Sequence, residues 1–263
     1  MDIKIDAVAN DDFVMDYCCF GNGDRPFVII PGVSPEPVTP MAEFVSHQYR
    51  KFHAGYKCYL FDRKRNFPAD YSVEQMADDT AQAMRQLGIS DACVFGSSQG
   101  GMIAMVLAAK YPDLVRKLAL GSSAAYIGDF ARDALQQWVG AARQGDTEAL
   151  ISLFFEKIYS DDFRAKNAKA LALAAKMVTN DAIPRLLTLC NACLDYDGRA
   201  FARRIQCESF VLGSRQDNVL GHDSQDELAR LLQCRSKIYD GYSHLVYDET
   251  PEALAHVLAF FDE

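Results

Sequence analysis

The segment Val94-Phe95-Gly96-Ser97-Ser98-Gln99-Gly100-Gly101-Met102 admits few backbone paths. Glycines stand two residues either side of Ser98, and the sequence changes character across them. Asp91-Ala92-Cys93-Val94-Phe95 has the short apolar look of a buried strand, and Met102 to Ala109 reads as a buried helix ending ahead of Pro112. A strand that enters a helix through one strained turn lifts the apical side chain clear of the backbone. The residues two positions away then have no room for a Cβ, which Gly96 and Gly100 supply by having none. Ser98 is therefore expected at the apex, its hydroxyl free to attack a carbonyl. Ser97, flanked two residues away by Phe95 and Gln99, cannot take that place. The bare spacing also suits a structural turn; the strand and helix around it favour the nucleophile.

The rest of the chain alternates strands with helices. Ile3 to Val8 and Phe13 to Phe20, separated by Asn10-Asp11-Asp12, look like an antiparallel pair. Pro26 to Ile30 and Lys57 to Phe61 follow as strands, with a crossover helix from Met41 to Phe52 between them. Ser72-Val73-Glu74-Gln75 is a capping box, opening a helix that Gly88 stops. After the segment around Ser98 comes a strand from Val115 to Leu120. This alternation implies a parallel sheet built from right-handed crossovers.

Between about Gly121 and Cys207 only helical patterns occur, at Phe130 to Ala142, Thr147 to Tyr159, Phe163 to Val178 and Ile183 to Leu194. The expected organisation is a core domain of residues 1–121 and 207–263 carrying a helical cap of residues 122–206. Strands resume at Ser209 to Gly213 and Ser236 to Tyr239, and Thr250 caps a last helix with Pro251 in its first turn. Tyr126, Trp138, Phe154, Phe155, Tyr159 and Met177 are more large apolar groups than a thin cap needs for itself, so some are expected to face an apolar cleft over Ser98. Arg132, Arg143, Arg164 and Arg185 are expected on its solvated outer face.

With 263 residues and 49% hydrophobic content the chain can bury one large core. A net charge of −9 argues against nucleic acid or an anionic membrane surface as partner. The first residues, Met1-Asp2-Ile3-Lys4-Ile5-Asp6, lack the basic and apolar regions of a signal peptide, so a cytoplasmic location with reduced thiols is expected for the eight cysteines. Cys190 and Cys193 have the spacing of half a zinc site; without a second pair of ligands they are expected to pack in a helix, leaving no metal site. The run Arg63-Lys64-Arg65 suits either a basic loop on the substrate side or a solvated face, and the solvated face is the expectation.

A serine nucleophile needs a base and a group to orient it. Asp217 follows the strand ending at Gly213, and His244 follows the strand ending near Tyr239. Loops after parallel strands emerge at the carboxyl edge of the sheet, as Ser98 does, so the three can converge in the order Ser, Asp, His. His47, His53 and His256 sit in or beside helices and are expected to be structural or solvated. His222 follows Asp217 too closely to face it across a site, and the rival acids Asp223 and Asp240 lack its position after the next-to-last strand.

On these residues, Gly96-x-Ser98-x-Gly100, Gly213 to Asp217 and Gly241-Tyr242-Ser243-His244, the chain resembles the α/β-hydrolase superfamily, lidded subgroup, over essentially its whole length. The resemblance implies an α/β fold with an eight-stranded, mostly parallel sheet and a helical cap after the sixth strand. It implies an oxyanion hole from the backbone N–H groups of Gln99 and Val33, although the third-strand loop has Pro31-Gly32 where such loops usually begin His-Gly. It also implies hydrolysis of a small to medium carboxylic ester by Ser98, His244 and Asp217, with a small-molecule substrate and no cofactor. Amide, peptide or carbon–carbon bond hydrolysis, and a triad-bearing small-molecule sensor, remain open within the same fold.

Overall fold

A computed structural model describes residues 2–11 and 13–263; Met1 and Asp12, the latter part of the expected first turn, lie outside the described residues. The strands are β1 (Lys4–Asn10), β2 (Phe13–Phe20), β3 (Arg25–Ile30), β4 (Tyr56–Lys64), β5 (Ala92–Ser97), β6 (Val115–Gly121), β7 (Glu208–Ser214) and β8 (Arg235–Tyr239). They form one eight-stranded sheet in the order β1-β2-β4-β3-β5-β6-β7-β8. The β1–β2 and β2–β4 pairs are antiparallel, and every later pair is parallel. The helices are α1 (Ala42–Gln48), α2 (Val73–Gln86), α3 (Gln99–Lys110), α4 (Asp129–Gln144), α5 (Thr147–Ile158), α6 (Asp161–Met177), α7 (Ile183–Leu194), α8 (Arg199–Ala202), α9 (Ser224–Leu232), α10 (Val246–Glu249) and α11 (Pro251–Asp262). None of the helices among the described residues is long and apolar enough to cross a membrane.

The central strands are apolar on both faces because helices cover both. Val28, Ile30, Val94, Leu118 and Leu120 point into the core shared with α2, α3 and α9. The alternate residues Phe27, Ile29, Cys93, Phe95 and Ala119 point into a second core, where Phe27 stacks on Phe52 with ring centroids 4.7 Å apart and Phe261 of α11 meets it edge-on. From β3 the chain crosses to β4 on one side and returns to β5 on the other. Such a switch point opens a crevice at the carboxyl ends of β3 and β5, where the loop containing Val33 faces the turn containing Ser98.

Four local expectations are corrected. The crossover helix ends at Gln48 and gives way to a short 3₁₀ turn at Arg50–Phe52. Strand β4 runs on through Arg63 to Lys64, past the expected end at Phe61. Helices α9 and α10 were not expected; the acids Asp226 and Glu227 in the first turn of α9, followed by Leu228, Leu231 and Leu232, carry the signal for it. Thr250 precedes α11, but its hydroxyl bonds the Glu252 carboxylate and caps no backbone N–H.

Helices α4 to α8 occupy the segment between β6 and β7. Trp138 of α4 and Phe154 of α5 are buried against each other with ring centroids 4.6 Å apart, and they continue into the core of α2 and α3. These two rings pack inside the insert and help hold it together. Met177 is 72% exposed at the end of α6.

Candidate active site

Ser98 sits at the junction of β5 and α3 with φ 54° and ψ −121°, a strained conformation for a residue with a Cβ. The surroundings impose it. Ser98 N donates to Gly121 O at 2.8 Å, and Ser98 O accepts from Gly101 N and from Ser123 Oγ, each at 2.9 Å. A Cβ at position 96 would stand 2.3 Å from Gly100 O, and one at position 100 would stand 2.0 Å from Ile30 O. Both glycines are thus required by backbone contact.

His244 Nε2 lies 2.9 Å from Ser98 Oγ, and His244 Nδ1 lies 2.8 and 3.0 Å from the two oxygens of Asp217. With its proton on Nδ1, the ring donates to the carboxylate and leaves Nε2 free to accept from the serine. His244 and Asp217 are each 2% exposed. A buried carboxylate must find donors, and here Asp217 Oδ1 accepts from Val219 N and Leu220 N, each at 2.8 Å, while Oδ2 accepts from Gln225 Nε2 at 2.7 Å. Gln225, supplied by α9, is a site residue that the sequence did not single out. The other histidines lie elsewhere: His222 is exposed beside Asp223, and His53 is buried against Phe20, with its ring pushed toward the neutral form by desolvation.

The two residues assigned to the oxyanion hole flank the same point. Gln99 is the first residue of α3, where the N–H groups have no partner within the helix. Gly32, next to Val33, lies so close that a Cβ there would stand 3.0 Å from Ser98 Cβ.

Helices of the insert grip the loops that carry this site. Around His244, Ser243 Oγ donates to Lys157 O and Leu245 N to Ile158 O, both at 2.9 Å. Tyr159 Oη donates to Asp248 Oδ2 at 3.3 Å, and Ser160 N to Glu249 Oε1 at 2.9 Å. On the opposite side Arg185 of α7 donates to Asp62 Oδ1 at 2.7 Å and to Ser34 O at 3.2 Å. Arg185 is therefore a docking residue, and its expected solvated position is corrected. So is that of Arg63, which is 4% exposed beneath α7, where the insert covers it; Lys64 pairs with Asp79, and Arg65 alone of the three is exposed, paired with Asp16. Cys190 and Cys193 lie on the buried face of α7, and Cys193 Sγ accepts from Gln99 Nε2 at 3.2 Å. Burial pushes the Cys193 thiol up to about 12, so it is neutral beside the site. Among the described residues no cluster of three or more His, Cys, Asp or Glu is placed to hold a metal ion.

Asp248 keeps some surface, but its carboxylate end is enclosed by Gln48 and Tyr159, and desolvation raises it from 3.8 to about 6. A carboxyl raised in the fold stabilises fully below its unfolded value and loses that contribution as pH rises through 6. Asp248→Asn should therefore melt about 5 °C above the parent at pH 8, from about 2 kcal/mol after allowing for partial exposure. The gap should close as pH falls toward 4. Thermal melts across that range test it, and a pH-independent gap refutes it.

The model of the alpha/beta hydrolase fold matches residues 31–251, and the chain belongs to that family. It is 28% identical over 171 residues to a protein of Enterobacter cloacae provisionally named carbamate hydrolase RutD, a match spanning 63% of this chain and 63% of RutD. It is 20% identical over 262 residues to 3-oxoadipate enol-lactonase 2 of Acinetobacter baylyi, covering 96% of this chain and 94% of that one. The fold superimposes on MGS-M2, an alpha/beta hydrolase enzyme from a Medee basin deep-sea metagenome library, with TM-score 0.86 at 20% identity over 98% of both chains.

Proposed function

We propose that this protein is a serine hydrolase of a small to medium, uncharged carboxylic ester. Ser98 attacks the acyl carbon as His244 Nε2 takes its proton; His244 then protonates the leaving alcohol, and water repeats the cycle on the acyl-enzyme. Asp217 fixes the imidazole tautomer and stabilises its charged form. The N–H groups of Val33 and Gln99 receive the oxyanion, each worth about 3 kcal/mol of barrier. The observation that carries this reading is the bridge of His244 between Ser98 Oγ at 2.9 Å and Asp217 Oδ2 at 2.8 Å. The name of the relative matched over nearly its whole length supports an ester, since a lactone is a cyclic one.

Of the aromatic residues expected to form the acyl cleft, Tyr159 is tied to the His244 loop and remains a candidate wall. Tyr126, its hydroxyl donating to Glu227 of α9, lines a separate small cavity with Gly128 and Leu228. A p-nitrophenyl ester series from acetate to palmitate tests the reading. Expected is a rise in kcat/KM of up to about fourfold per methylene over the short chains, from at most about 0.8 kcal/mol each, then a fall once the acyl group outgrows the space under the insert. A flat profile, or preference for a charged acyl group, contradicts an apolar acyl site. Faster cleavage of a matched anilide favours amide hydrolysis, and very slow turnover with a ligand-dependent protein partner favours a sensor.

A further inference from the structure

Arg63 is a buried cation that the proposed chemistry leaves unused. Its Nη2 donates to Pro31 O at 2.8 Å and to Gln99 Oε1 at 3.2 Å, and its Nε has no hydrogen-bond partner among the described residues. Among the described residues no carboxylate is bonded to the guanidinium. The neighbouring Asp62 is fully engaged by Arg185, by its own chain at Arg63 N, and by Val38 N and Thr39 N. Tyr71, also close, donates to Asp79 and is held neutral by burial. Cys193 is neutral as well. Burial draws Arg63 down to about 10, which still leaves it protonated at neutral pH.

A buried, unpaired charge is costly where a neutral donor would make the same two bonds. Its placement gives it a use. Pro31 belongs to the loop that carries Val33, and Gln99 carries the other oxyanion N–H, so one nitrogen of Arg63 braces both walls of the hole. Arg185 braces the first wall again from the far side of Val33, through Ser34 O. Gln99 is held in turn by the insert, its Nε2 donating to Leu189 O at 2.6 Å.

We propose that Arg63 is a positioning residue for the oxyanion hole, fixing the Val33 and Gln99 walls together and setting behind them a positive charge that no carboxylate bonds directly. The proposal rests on the ester-hydrolase reading above, because it needs a tetrahedral oxyanion in that hole. Arg63 touches no reacting atom, so its removal should cost less than deletion of a direct donor, which lowers kcat by about 10²–10³.

The experiment compares Arg63→Met and Arg63→Lys with the parent, using p-nitrophenyl butyrate and an alkyl trifluoromethyl ketone, whose hemiketal oxygen occupies the hole. For Arg63→Met the expected kcat falls about 30-fold with KM within threefold, and the ketone Ki weakens by the same factor. Arg63→Lys keeps the charge and should recover about tenfold of both. A merely structural residue would lower the active fraction, titrated with a fluorophosphonate, without moving the ketone Ki per active site. That result overturns the proposal, as does a loss confined to KM and to anionic acyl groups, which would make Arg63 a substrate-anion site. Should Arg63→Met not fold, Gln99→Met carries the test: it keeps the backbone N–H but loses the Arg63 contact, and kcat and ketone affinity should fall in parallel. Failure of the hydrolase reading is separately visible, as a parent protein that neither turns over the ester nor binds the ketone, and it removes this proposal too.

Discussion

Ser98→Ala should abolish ester turnover, with kcat falling on the order of 10⁶-fold, while the protein stays folded. The size of the effect follows from unit behaviour: without the nucleophile, His244 and Asp217 have no proton to move, and only binding and the oxyanion hole are left. Folding should survive because the Ser98 hydroxyl caps no backbone N–H of α3, and its hydrogen bond to His244 belongs to the site. Alanine meets the positive φ with the same Cβ that serine has, so no new strain arises. The fluorophosphonate label should map to Ser98 in the parent and vanish in the variant, with equal melting temperatures. Label on Ser97, or turnover within a hundredfold of the parent, would sink the assignment of Ser98.

The parts of the site visible in the sequence were those set by local sterics or by position along a strand. Gly96 and Gly100 are dictated by atoms within a few residues of Ser98 and by the adjacent β3 edge, so the turn is legible from spacing. Asp217 and His244 each follow a strand, and a parallel sheet fixes where such loops emerge. What escaped depends on contacts remote in sequence. Arg63 lies in a run of three cations that suggests solvent, yet β4 continues through it and α7, more than 120 residues later, closes over it. Arg185 was misplaced for the same reason, since its partner Asp62 belongs to the core and not to its own helix. Trp138 and Phe154 pack on each other inside the insert, and composition alone does not say how much apolar surface its helices bury among themselves.

Asp217→Asn should lower kcat by about 10⁴-fold with little change in melting temperature, and the hydrogen bonds around the carboxylate explain both outcomes. Oδ1 accepts from two backbone N–H groups, Val219 and Leu220, which cannot turn away, so the asparagine oxygen must take that position. Its NH₂ group is then forced into the place of Oδ2, 2.8 Å from His244 Nδ1. Gln225 can accommodate it by rotating its amide, because its Oε1 is buried without a partner among the described residues and can accept. His244 has less freedom: its shorter contact from Nδ1 now meets a donor and only the 3.0 Å contact to Oδ1 keeps an acceptor, so the tautomer with its proton on Nε2 gains over the working one. An imidazole with its proton on Nε2 cannot take another from Ser98 Oγ, so that tautomer is no base although every heavy atom stays in place. The fold keeps its hydrogen bonds and sheds a buried charge, which is why stability should hold. Steady-state kinetics with thermal melts decide the matter, and a variant within tenfold of the parent would show that Asp217 does not set the tautomer of His244.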